Sequence, residues 1–281
     1  MFRRPTDRTI IPQYTPPAGL SLLAAAELLG EGKRAIAAQI MQFAVSKAIT
    51  ITPALPGRQS NSGFTLTLRS LDGLGPDEMD TMQALFPRGV VGERIAVRPG
   101  SNRALSRRLR MPHGRAVARL VMAGWARERG FFERTFSRAT AQPIVPLPPS
   151  AEMVGYLWGI HDYIALAEKD RLAFLQSPQG ALMRTDISID VQTLVLNEKL
   201  LPYAVLFGLE DEWMRELGVS YEGLTRDDLD ALEVLGGIAS FALSGVELIP
   251  FLMFLGDVVK ILFGVGKIVG GIVIFFATLG N

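Results

Sequence analysis

The feature that most constrains this chain is its apolar C-terminal end, from Val234 to Leu279, where Glu247, Asp257, Lys260 and Lys267 are the only charged residues. It contains two apolar runs, each of about the 20 residues that span a bilayer core. A short junction around Asp257 separates the runs, and a glycine followed by an aspartate is typical of one helix ending and the next beginning. This pattern predicts a C-terminal transmembrane helical hairpin.

Two of these charges lie at equal distances on either side of Asp257, so antiparallel helices would hold them at the same depth. Because an unpaired charge inside a bilayer is costly, we expect Glu247 and Lys267 to form an intramembrane pair. Small residues at four-residue spacing favour close packing against other membrane helices. Two alternatives remain open: a single span at 258–279 preceded by an interfacial helix, and an apolar hairpin in water.

The 281 residues leave room for one or two domains before this predicted anchor. Shifts in composition predict four parts. They are a winged-helix-like and basic region (1–141), a Pro-rich linker (142–150), a helical subdomain (151–233) and the membrane anchor (234–281).

The chain has no cysteine and two histidines, which excludes disulfides, thiolate metal sites and cysteine nucleophiles. No catalytic motif, metal site or cofactor site is recognisable, so we do not expect an enzyme. The N-terminus has charge without a following apolar segment. We therefore expect the head to lie in the cytoplasm and to be held at the inner or plasma membrane.

The N-terminal region alternates between helical and strand-like periodicity. Helices are predicted at 20–29 and 33–48, strands at 49–52 and 64–68, with a Pro/Gly/Ser loop at 53–63. This order resembles a winged-helix unit, although its second helix carries few basic residues for reading DNA. The predicted fold class is therefore mainly α with a small winged-helix-like β element, followed by the transmembrane hairpin.

Thirteen arginines and three glutamates lie between Phe86 and Arg138. Helices are predicted there at 102–110 and 112–129, and the arginines recur on them at three- and four-residue steps. We expect these arginines to contact anionic lipid or an acidic partner; an ordinary solvated face is the alternative. The residues concerned are Arg103, Arg107, Arg108, Arg110, Arg115 and Arg119.

Two later segments, 155–175 and 197–217, carry an aromatic helix and a Leu-Leu-Pro-Tyr-Ala element. With these features the chain resembles the C-terminal cytoplasmic domain of YciQ-like predicted bacterial membrane proteins, a domain-of-unknown-function family. We expect the outer domain of that family to be missing from this chain. We expect a structural role for the residues that carry the resemblance, which are Glu168, Arg171, Leu201, Pro202, Tyr203, Gly208 and Trp213.

These observations lead to one functional expectation and one alternative. We expect a membrane-anchored cytoplasmic binding or scaffold module of a membrane assembly, with the lipid bilayer and other membrane proteins as partners. The alternative is a membrane-tethered nucleic-acid-binding regulator. The sequence does not indicate a small-molecule substrate.

Overall fold

The computed structural model describes residue 13 and residues 15–53, 64–97, 103–130, 143–165 and 199–209. The helices in these ranges are α1 (Leu22–Leu29), α2 (Ala35–Val45), α3 (Pro76–Leu85), α4 (Arg103–Met122), α5 (Ala151–Ala165) and α6 (199–207). The strands are β1 (Ile49–Pro53), β2 (Phe64–Leu68), β3 (Arg94–Val97), β4 (Ala126–Glu128) and β5 (Ile144–Pro146).

The strands form two small antiparallel sheets. In the first sheet β2 lies between β1 and β3, with Ile51 opposite Leu66 and Leu66 opposite Ile95. In the second sheet β4 pairs with β5, and Arg127 lies opposite Val145. Alternating apolar residues of β1 and β2 are buried, as the period of two in a half-buried strand requires.

Helix α1 lies at the centre of the described structure, and all eight of its residues are buried. The side chain of Ser21 begins the helix by accepting a hydrogen bond from the Ala24 amide at 3.1 Å, which satisfies a free N–H of the first turn. Gly30 ends it with a left-handed φ of 79°. Because α1 contacts α2, α4, α5 and β5, these elements share one core.

Helix α4 is continuous from Arg103 to Met122, although Pro112 lies within it. The sequence predicted two helices divided at Pro112, the second reaching residue 129. That prediction is wrong, because one helix continues through Pro112 and ends at Met122. A proline removes one helical hydrogen bond, yet Leu109 and Ala116 are buried on either side of it. Burial of one apolar face therefore stabilises the helix on both sides of Pro112. After α4 the chain turns at Gly124, whose φ is 72°, and enters β4.

The predicted fold class, mainly α with a winged-helix-like element and a C-terminal transmembrane hairpin, is wrong. The described residues form six α-helices, one short 3-10 helix (Pro148–Ser150) and two antiparallel sheets. Strand β3, which pairs with β2, follows α3 in the chain. In these residues no helix is long and apolar enough to cross a membrane. The 20-residue α4 is rich in arginine, while the more apolar α5 has 15 residues, fewer than the roughly 20 that a span needs.

The predicted hairpin segment 234–281, with its proposed pair Glu247 and Lys267, lies outside the described residues. The same holds for Glu168, Arg171 and Trp213 of the YciQ-like resemblance.

Candidate functional site

Two of the predicted contact arginines face the neighbouring helix α3. Arg119 donates hydrogen bonds to both Asp77 and Asp80, and Arg115 donates to Asp80. The hydroxyl of Ser21 also donates to Asp77. This polar network connects the start of α1 with α3 and α4, so Arg115 and Arg119 have a structural role.

The network also changes the ionisation of its members. Burial on its own would raise the pKa of Asp80, but hydrogen bonds from Arg119 and Arg115 outweigh it and hold that pKa below its ordinary value. The hydrogen bond to Asp80 raises the pKa of Arg119 further above its ordinary value. Both side chains therefore stay charged throughout the physiological pH range.

The N-terminal half of α4 presents a different set of side chains. Arg107, Arg108 and Arg110 are exposed, and no carboxylate in the described ranges forms an ion pair with them. Met111, beside them, is 61% exposed. We call these four residues the α4 basic face. Arg103 begins the same helix.

A second exposed apolar feature lies in the loop between α3 and β3. Val90 is 60% exposed and Val91 is 64% exposed, and Arg88 and Arg94 are exposed on either side. The sequence patterns used above did not predict that these valines or Met111 would be exposed. Two adjacent valines between glycines and arginines are the feature of the sequence that could have indicated an exposed turn.

Helix α2, which would be the recognition helix under the nucleic-acid alternative, is nearly all buried. Gln42 is its only partly exposed residue, and Gln39 is fully buried. Arg34, just before the helix, donates a hydrogen bond to the carbonyl of Val205 at 3.0 Å. A helix must present an exposed face to enter a DNA groove, and α2 has none in this arrangement.

The residues of the YciQ-like resemblance that the structure describes lie in and just after α6. Leu201, Pro202 and Tyr203 are buried, and burial raises the pKa of the Tyr203 hydroxyl. Gly208 has a left-handed φ of 77°, and a Cβ atom there would lie 3.0 Å from an Arg34 nitrogen. The end of α6 therefore lies next to Arg34, and the structural role of the resemblance residues stays a prediction.

Both histidines contact other side chains of the described structure. The Nε2 atom of His113 in α4 lies close to the carboxylate of the buried Glu27 in α1. His161 of α5 makes edge-to-face contacts with the rings of Trp158 and Phe207, at centroid distances of 5.0 and 5.1 Å. Across the ranges that the structure describes, no three metal-binding side chains cluster as a metal site would require.

No protein family, no curated protein and no solved structure matches this chain. The resemblance to YciQ-like proteins therefore stays a prediction, and functional inference depends on the geometry described above.

Proposed function

We propose that this chain is a binding module that docks on an anionic phospholipid surface through the α4 basic face. The observation that carries this proposal is the exposure of Arg107, Arg108 and Arg110 beside the exposed side chain of Met111. Each basic residue near an anionic leaflet contributes about 1 kcal/mol of binding. Long basic side chains also lay their apolar stems against the interface while the charged ends reach phosphate groups.

The mixture of charge and apolar surface favours lipid over the alternatives. A nucleic-acid backbone offers phosphates for the arginines, but it offers no apolar layer for Met111. An acidic protein would need a matching cleft for a side chain that protrudes from one helix, whereas a fluid interface adapts to it.

Catalysis has no part in this proposal. His113 lies beside a buried carboxylate and His161 lies among aromatic rings, and the proposal assigns neither a catalytic role. The proposed activity is binding, as a scaffold at the lipid surface.

The test uses the full chain and sedimentation with two kinds of vesicle, phosphatidylcholine alone and phosphatidylcholine mixed with phosphatidylserine. We expect preference for the anionic vesicles, with binding that weakens as salt rises. In the double variant Arg107→Gln/Arg108→Gln, loss of two charges should weaken anionic-vesicle binding roughly thirtyfold.

The matched control is Arg69→Gln/Arg127→Gln, which removes two exposed charges from β-strand regions. Equal weakening by the control pair, or indifference to lipid charge, would contradict docking by the α4 basic face. Displacement from vesicles by a short DNA duplex at equal phosphate concentration would favour the nucleic-acid alternative.

A further inference from the structure

The loop that connects α3 to β3, residues 86–93, has Val90 and Val91 at its tip, and its backbone is held by hydrogen bonds. The Phe86 carbonyl accepts a hydrogen bond from the Gly89 amide at 3.0 Å, and the Val90 carbonyl accepts one from the Glu93 amide at 2.8 Å. These are two consecutive β-turns. Gly92, with a φ of 88°, takes the third position of the second turn, where a left-handed residue is required in a type II turn.

Further backbone bonds attach this loop to the first sheet. The Gly92 amide donates to the Leu68 carbonyl at 2.8 Å, and the Leu68 amide donates to the Glu93 carbonyl at 2.9 Å. The exposed side chains of Val90 and Val91 are therefore held outward by an ordered backbone. Their exposure is a property of the fold rather than of a loose segment.

Charge is arranged so that the tip has a basic rim. The carboxylate of Glu93 is buried and accepts a hydrogen bond from the Arg88 amide at 3.4 Å, with the Arg88 side chain 3.6 Å away. Arg88 and Arg94 are exposed on the two sides of the valines. An apolar tip between exposed basic side chains matches an anionic bilayer surface, which has phosphates above an apolar interior.

The loop lies toward the same end of the α3–α4 pair as the α4 basic face. Asp77 binds Arg119 and Asp80 binds Arg115, so residue numbers rise along α3 as they fall along α4. The two helices are antiparallel. The C-terminal end of α3, from which the loop leaves, therefore lies toward the N-terminal half of α4.

We propose that the 86–93 loop is an insertion loop, in which Val90 and Val91 enter the apolar part of an anionic bilayer while Arg88 and Arg94 stay at the phosphates. This inference deepens the proposed function and rests on it for the lipid partner. Arginines of the α4 basic face bring the module to the surface, and the valines add binding that salt does not screen.

The absence of cysteine from the chain permits a direct test. Val91→Cys in the full chain is labelled with an environment-sensitive fluorophore and mixed with phosphatidylcholine–phosphatidylserine vesicles. We expect a blue shift and quenching by spin-labelled lipid. Met122→Cys, at the opposite end of α4 and 86% exposed, is the matched control, and its label should remain in water.

The second measurement is vesicle affinity of Val90→Ser/Val91→Ser at high salt. We expect a loss of about tenfold, equivalent to about 1.4 kcal/mol, against no change for Met122→Ser. A label at position 91 that stays in water on vesicle-bound protein would contradict insertion of the loop without affecting docking by the α4 basic face. If the label enters lipid while Arg107→Gln/Arg108→Gln binds vesicles as well as the unchanged chain, docking by the α4 basic face is contradicted and insertion of the loop is not. A full chain that binds no vesicles would overturn both.

Discussion

The Nε2 atom of His113 lies 2.9 Å from the Oε1 atom of Glu27, which ties the arginine-rich helix α4 to the buried helix α1. Glu27 is 1% exposed, and a buried carboxylate is costly without a partner. Gly32 lies against this pair, because a Cβ atom added there would lie 2.2 Å from Glu27 Oε1. A methyl group at position 32 therefore requires the buried Glu27 carboxylate or the atoms beside it to move.

The first prediction follows from this contact. Gly32→Ala should lower the free energy of unfolding by about 2 kcal/mol, because the Glu27 carboxylate, the His113 ring or the backbone at position 32 must shift to admit the methyl group. Gly155→Ala in α5 is the control, since nothing lies within 4 Å of a Cβ atom there, and it should be neutral or slightly stabilising. Urea denaturation measures both; equal losses would contradict the steric explanation.

The second prediction concerns Asp80, whose pKa lies below its ordinary value of 3.8. Its ionised form therefore stabilises the folded chain above pH 3.8, and this stabilisation is lost as the pH falls through the lower folded-state pKa. Asp80→Asn should cost about 1 kcal/mol at neutral pH and little below both pKa values. Thermal unfolding across acid pH tests this. A cost independent of pH would rule out the charge effect, and Asp72→Asn, at an exposed site, provides the control.

The third prediction concerns the buried Tyr203, whose pKa is raised by burial above its ordinary value of 10.0. The folded state keeps the proton when the unfolded state has lost it. Stability is therefore fully present below pH 10 and falls as the pH rises toward the folded-state pKa. Tyr203→Phe should reduce this alkaline loss, and an undiminished loss in that variant would contradict the assignment to Tyr203. Denaturant midpoints at several alkaline pH values measure the difference.

The fourth prediction separates backbone strain from a side-chain contact. Gly73 and Gly208 both have left-handed φ angles, but only at Gly208 would a Cβ atom meet another group, the guanidinium of Arg34 at 3.0 Å. Gly73→Ala should cost about 1 kcal/mol, the strain alone. Gly208→Ala should cost about 1 kcal/mol more, because Arg34 must move and its 3.0 Å bond to the Val205 carbonyl is disturbed. Equal losses of unfolding free energy in urea denaturation would show that the Arg34 side chain moves aside without measurable cost.

Local sequence was enough to predict the first elements of the fold. Ser21 and Gly30 are the start and stop residues of α1, and alternating apolar residues at 49–52 and 64–68 form β1 and β2. Such patterns act over a few residues, and burial of one face is their direct consequence. The helical spacing of the arginines was likewise visible from the sequence, although they were assigned to two helices rather than to the single helix α4.

Only the tertiary structure decided which of those arginines are available. Arg119 is 42 residues from its partner Asp77, and no local pattern indicates that α3 packs antiparallel to α4 at that register. The same packing keeps α4 continuous through Pro112, because apolar contacts on both sides replace the missing hydrogen bond. The exposed pair Val90 and Val91 likewise depends on bonds from their loop to a distant strand. The sequence by itself determined the first two helices, the strands β1 and β2 and the total charge, whereas long-range packing decided which charges are paired and which apolar groups remain exposed.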